Sequence, residues 1–141
     1  MESTHPRLQA LMARASAMAG KRPDALGLVY PCDALALDAA RRIQDSGIAR
    51  PVLIGPASLI AAAADAAQVD VRDFELIDSG SAASDAALRA CALALRGDVR
   101  ALMKGSLHTD ELMAAVVNKE AGLRGSKRIC HAFVFVLPRY L

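Results

Sequence analysis

Five short apolar runs alternate with helical stretches along this chain, and that alternation restricts its possible folds more than any other feature. The runs are ALGLVY at 25–30, PVLI at 51–54, FELI at 74–77, VRALM at 99–103 and ICHAFVFVL at 129–137. Each is of strand length, and Gly, Pro or Asp-Ser turn signals stand beside them. The intervening stretches carry helical periodicity. Over 6–19, Pro6 suits the first turn, Leu8, Leu11, Met12 and Ala15 share one face with Met18 or Ala19, and Gly20 marks the end. Asp33 is placed to cap a helix through residue 45 that stops at Ser46-Gly47. Residues 58–67 form an alanine-rich helix. Ser81 or Ser84 caps a helix to residue 96, and another runs over 109–121 to Gly122. Strands alternating with helices predict an α/β fold with a mostly parallel sheet and helices on both faces, an αβα sandwich. At 141 residues the chain reads as a single domain, 1–141.

Composition refines this picture. The apolar fraction is 54%, but thirty of those residues are alanine, which forms helices well and buries little area. The large apolar side chains are therefore concentrated in the strands, and Met12, Met18, Met103 and Met113 are expected to fill the core. A net charge of +2 gives no basis for nucleic acid or an anionic membrane as partner. No run approaches the ~20 apolar residues of a membrane span, and the N-terminal stretch is amphipathic, unlike a signal peptide. A cytoplasmic location is expected. Cys32, Cys91 and Cys130 are far apart and lack zinc spacing, and neither His108 nor His131 has a partner at metal spacing, so no metal is expected. The last apolar run, 129–137, is followed by only four residues. A parallel sheet needs cover on both faces, so this run calls for further chain or for a partner.

The most chemically suggestive stretch is LMKGSLHTDELMAAV, 102–116, where a strand hands over to a helix. In open α/β sheets ligands sit at the carboxyl ends of strands, beside helix N-termini. There Lys104 offers a mobile cation, Gly105 allows close backbone approach, and Ser106 and Thr109 offer hydroxyls. Against an anion site stand Asp110 and Glu111, which satisfy the helix dipole themselves. Gly-x-x-x-x-Gly-Lys-Ser/Thr and Gly-x-Gly-x-x-Gly are absent. The residues alone leave two readings open: an anion cradle, or an ordinary turn capped by Thr109. His108 is likewise either a loop histidine or a proton donor, and Asp33 a helix cap or a ligand contact.

LMKGSLHTDELMAAVVNKEAGLR, followed by RICHAFVFVLPRY, resembles the phosphate acetyltransferase and phosphate butyryltransferase family, most closely the branch fused to an enoyl-CoA hydratase-like domain. The shared pattern is a strand, Lys-Gly-x-x-x-Thr, an acidic residue with Leu, Gly-Leu-Arg, and then x-His-x-Phe-x-x-x-x-Pro. Upstream, LVYPCDALALDAARR and RPVLIGP resemble the family's first two strands and their turns. The resemblance runs from about residue 25 to 140. It covers the first half of a catalytic unit about twice this length.

The resemblance implies an isopropylmalate-dehydrogenase-like first domain of a two-domain acyltransferase, usually a homodimer, with its cleft between the domains. The implied reaction moves an acyl group between coenzyme A and phosphate: acyl-CoA plus phosphate gives acyl phosphate plus CoA. Coenzyme A is then a substrate, no cofactor is held covalently, and the partners are acyl-CoA and phosphate. Lys104, Gly105, Ser106 and Thr109 are the implied phosphate or acyl phosphate-binding residues, with His108 as a catalytic proton donor. The general base and most CoA-binding groups fall in the other half, so this chain alone is expected to be inactive. Three departures stand out: Ala114 replaces an arginine, residues 78–85 hold none, and Cys130 replaces the usual serine before His131. A different class remains as the alternative, a half-length ligand-binding or assembly module. A dehydrogenase of the isopropylmalate type lacks both a glycine-rich loop and a carboxylate cluster.

Overall fold

The computed structural model describes residues 5–136. In chain order its elements are α1 (Pro6–Ala19), β1 (Ala25–Val29), α2 (Ala34–Ser46), β2 (Arg50–Gly55), α3 (Ala57–Ala67), β3 (Glu75–Asp78), α4 (Ala83–Arg96), β4 (Ala101–Lys104) and α5 (Thr109–Val116). The strands form one sheet in the order β3-β2-β1-β4, with every neighbouring pair parallel. From β1 the chain steps outward through β2 to β3, then crosses back to lay β4 on the other side of β1. Parallel crossovers are right-handed, so this reversal of direction moves the connecting helices from one sheet face to the other.

The two cores follow from that path. On one face Leu28 and Leu53 pack with Leu37 and Ala40 of α2, Ile60 and Ala64 of α3, and Phe74. On the other, Val29, Val52 and Ile54 pack with Ala86, Ala87, Ala90, Cys91 and Leu93 of α4, and with Leu107 and Ala115. Alanines on α4 bring that helix close to the sheet, and the strands supply the bulk. Leu28, Leu37, Leu53, Ile54 and Ile60 are essentially sealed from solvent, each stabilising the fold by about 1.5–3 kcal/mol. The predicted αβα sandwich is therefore present. On the α2 side, Arg41 ties the helix to the approach to β3: its guanidinium lies 4.5 Å over the Phe74 ring and 2.6 Å from Asp73.

Local signals set the boundaries. Asp33 caps α2, its carboxylate accepting the Ala36 N–H at 2.8 Å, and Gly47 ends that helix in the left-handed region. Neither Ser81 nor Ser84 caps α4. Ala82 occupies the N-cap position with no side-chain hydrogen bond. α5 begins at Thr109 with His108 as its N-cap, and it ends at Val116 rather than residue 121. There the Asn118 side chain takes over, its Oδ1 accepting the N–H groups of Glu120 and Ala121 at 2.9 Å each.

Two further expectations fail. Residues 129–136 form no strand, and Leu137, the end of that predicted run, lies outside the described residues. Ile129, Phe133, Val134 and Phe135 are 55%, 76%, 78% and 72% exposed. Strand propensity cannot substitute for a neighbouring strand to receive the backbone hydrogen bonds. α1 also departs from expectation: it forms over the predicted residues but buries none of them. Met18 is 78% exposed, and Met12 is exposed too, so neither fills the core. Ser16 holds α1 in place, its hydroxyl donating to the Ser46 carbonyl at 2.9 Å. Of the other two expected core fillers, Met103 packs against the α2 and α3 side and Met113 is half-buried on α5. Among the described residues, no helix is long and apolar enough to cross a membrane.

Candidate active site

β1 and β4 lie side by side, and their carboxyl ends open at the point where the sheet order reverses. In open α/β sheets that is where ligands bind. Two loops form the rim: residues 30–33 between β1 and α2, and residues 105–108 between β4 and α5. The sequence pointed chiefly to the second, with Asp33 the one candidate contact in the first. The two are joined by backbone hydrogen bonds, Gly105 N–H to the Val29 carbonyl and Ser106 N–H to the Tyr30 carbonyl, both 2.8 Å. Ser106 Oγ also accepts the Cys32 N–H at 3.0 Å.

All five predicted site residues fall in or beside this turn. Lys104 ends β4 at its exposed tip, and its Nζ donates to the carbonyls of Gly105 at 3.1 Å and Leu107 at 2.8 Å. Among the described residues no carboxylate pairs with it. An ammonium has three donors, so the two carbonyls hold the charge at the rim without neutralising it. Gly105 is needed for a reason the sequence did not disclose. A Cβ there would stand 2.5 Å from the Val29 carbonyl oxygen and 2.6 Å from that of Tyr30. The close approach this glycine allows is to β1.

His108 and Thr109 are exposed at the start of α5. Glu111 reaches back to accept the His108 N–H at 2.8 Å, so this carboxylate is spent on the helix end. Asp33 serves as the α2 cap, the first of its two sequence readings. Cys32 is half-buried, and burial, with Asp33 adding to it, pushes its thiol up from the ordinary value. Ala114 is exposed in the second turn of α5. Among the described residues no group of three or more His, Cys, Asp or Glu is placed to hold a metal.

A second hollow lies at the amino ends of β2 and β3, lined by Arg50, Glu75, Arg89, Arg96 and Asp98. Two of its three arginines are already engaged: Arg50 with Glu75 at 2.7 Å and Arg96 with Asp98 at 2.5 Å. The β1–β4 rim, with its unneutralised lysine at the sheet's switch point, is the better candidate for an anion.

The chain is thus a parallel α/β fold whose candidate site lies at a sheet switch point. No family model matches it. It is 42% identical over 121 residues to a phosphate acetyltransferase of Rickettsia felis, covering 86% of this chain and 34% of the relative. A phosphate acetyltransferase of Rhizobium meliloti is 38% identical over 111 residues, 79% of this chain and 35% of the relative. A phosphate butyryltransferase of Clostridium acetobutylicum is 35% identical over 104 residues, 74% of this chain and 34% of the relative. Over most of its length the chain is therefore a homologue of the N-terminal part of the phosphate acetyltransferase and phosphate butyryltransferase family, as the motifs implied. It spans about a third of the length of these curated relatives.

Proposed function

We propose that this chain is the first α/β domain, isopropylmalate-dehydrogenase-like, of a two-domain cytoplasmic enzyme that moves an acyl group between coenzyme A and phosphate. The supporting observation is the Lys104 ammonium, held by two carbonyls at the sheet's switch point with no carboxylate among its described partners. The relatives' names supply the chemistry it would serve.

The reaction needs a cation and donors for phosphate, an oxyanion site, and a base for the thiol. Bringing two anionic substrates together requires positive charge fixed in advance. In this reading Lys104 binds phosphate, and Ser106 and Thr109 donate hydroxyl hydrogen bonds to its oxygens. Gly105 lets the turn sit against β1, and His108 is a proton donor at the rim. The base and most contacts to coenzyme A belong to a second domain, and the whole enzyme is a homodimer.

The test is Lys104→Ala in the full-length protein, assayed by acyl phosphate formed from acetyl- or butyryl-CoA. The KM for phosphate should rise about tenfold, the weight of one charge-assisted hydrogen bond, with the KM for CoA little changed. Equal loss for both substrates would show the lysine merely closing its turn. Robust turnover by the 141 residues alone would refute the division of labour between domains.

The exposed side chains of Ile129, Phe133, Val134 and Phe135 favour a second reading, a non-catalytic assembly module that covers them with a partner. A monomer at high concentration in native mass spectrometry would count against it.

A further inference from the structure

Tyr30 stands at φ 55°, one of two non-glycine residues at positive φ among the described ones, immediately after β1. A tyrosine is ill at ease there, and such strain persists only where the surroundings dictate it. Here they do. Its N–H donates to the Ile54 carbonyl at 2.7 Å, and its carbonyl accepts both Cys32 N–H at 3.0 Å and Ser106 N–H at 2.8 Å. The left-handed turn also brings the Cys32 N–H onto Ser106 Oγ, 74 residues away in the chain.

That last bond has a directional consequence. A serine hydroxyl carries one hydrogen and two lone pairs. An N–H can only donate, so it occupies a lone pair of Ser106 and leaves the hydroxyl hydrogen available to another acceptor. We infer that the Tyr30–Cys32 corner is a positioning element for the phosphate site, orienting the Ser106 hydroxyl as a donor toward the anion that Lys104 binds. Selection of phosphate then depends on the β1–α2 loop, which the anion need not touch. This rests on the acyltransferase reading.

Two substitutions at Tyr30 separate positioning from ring packing, because both delete the ring and differ in their tolerance of positive φ. In the full-length protein, Tyr30→Val should raise the KM for phosphate about tenfold more than Tyr30→Gly does, since a β-branched residue resists this conformation and glycine accepts it. The KM for CoA should change alike in both. Hydrogen exchange at the Cys32 amide should speed up in Tyr30→Val and remain slow in Tyr30→Gly. Should the valine variant fail to fold, Tyr30→Ala takes its place: alanine also lacks the ring and resists positive φ, so it should expose the Cys32 amide and raise the KM for phosphate above that of Tyr30→Gly.

Equal phosphate KM in the two Tyr30 variants, or a loosened Cys32 amide with phosphate use unaltered, overturns the inference and leaves the acyltransferase reading intact. A wild-type protein with acyl-CoA turnover absent and no heat on titration with inorganic phosphate overturns both.

Discussion

β3 and residues 129–136 are two short stretches with opposite fates. β3 has four residues, begins with Glu75 and ends with Asp78, and leaves most of its side chains exposed. It is nonetheless paired along its length, from Val52–Glu75 to Gly55–Asp78, and Arg50 reaches across to Glu75. Residues 129–136 are far richer in β-branched and aromatic side chains, but they pair with nothing among the described residues and turn those side chains outward. A strand is a shared object. It forms where a neighbouring backbone offers a matching row of donors and acceptors, and apolar side chains add stability only after that. β2 offers such a row to β3, and no described strand does so for the later stretch.

The largest expected effect contrasts the two regions directly. Leu53 lies fully buried on β2, against α2 and α3. Leu53→Ala should cost about 2–5 kcal/mol through lost transfer energy and a residual cavity. Phe135→Ala, at a side chain that touches mostly water, should stay within about 0.5 kcal/mol. Urea unfolding midpoints compare the two. A Phe135→Ala cost comparable to that of Leu53→Ala would mean that residues 129–136 are packed against something in solution.

Glycine offers an intermediate contrast. A Cβ on Gly105 would lie inside contact distance of two carbonyl oxygens of β1 and the residue after it, and backbone cannot swing aside as a side chain can. Gly105→Ala should therefore cost about 1–3 kcal/mol, and it should also loosen the rim and weaken phosphate use. At Gly125, in the chain leading to the unpaired stretch, a Cβ meets nothing within 4 Å. Gly125→Ala should be close to neutral by thermal unfolding. A costly alanine at Gly125 would reveal an unrecognised neighbour there.

These contrasts also mark what could be read from the residues alone. Strand and helix alternation gave the sandwich, because periods of about 2 and 3.6 residues are local properties. Asp33 as a cap, and Lys104 to Thr109 at a strand's carboxyl end, were legible for the same reason. Strand order was not. Nothing local to Tyr30 or Cys32 shows that β4 returns beside β1, so Asp33 is the one residue of the first loop that the sequence marks, and the local pattern around Gly105 suggests a ligand as its neighbour. The glycine contacts Val29 and Tyr30 instead. The apolar run at 129–137 misled for the converse reason: its composition is local, and the pairing a strand requires is not. α1 misled similarly. Its helical period was correct, but the burial of its apolar face depends on a surface that the described residues do not provide.

The smallest expected effect is chemical and follows the cysteines. Cys130 is exposed in the unpaired stretch, Cys32 is half-buried at the rim, and Cys91 is buried on the core-facing side of α4. Alkylation proceeds through the thiolate. Burial, then the neighbouring Asp33, raises the Cys32 thiol, and burial alone raises Cys91. A raised thiol holds less thiolate at neutral pH, so Cys32 should react more slowly than an unstructured peptide thiol, with its rate-against-pH curve displaced to higher pH. Cys130 should label first, Cys32 next, and Cys91 only when the sandwich opens. Mass spectrometry of peptides after brief iodoacetamide treatment across pH 7–10 reads all three at once. If Cys130 labelled as slowly as Cys91, the stretch around it would be covered in solution, and the contrast with β3 would narrow to a question of which surface covers it.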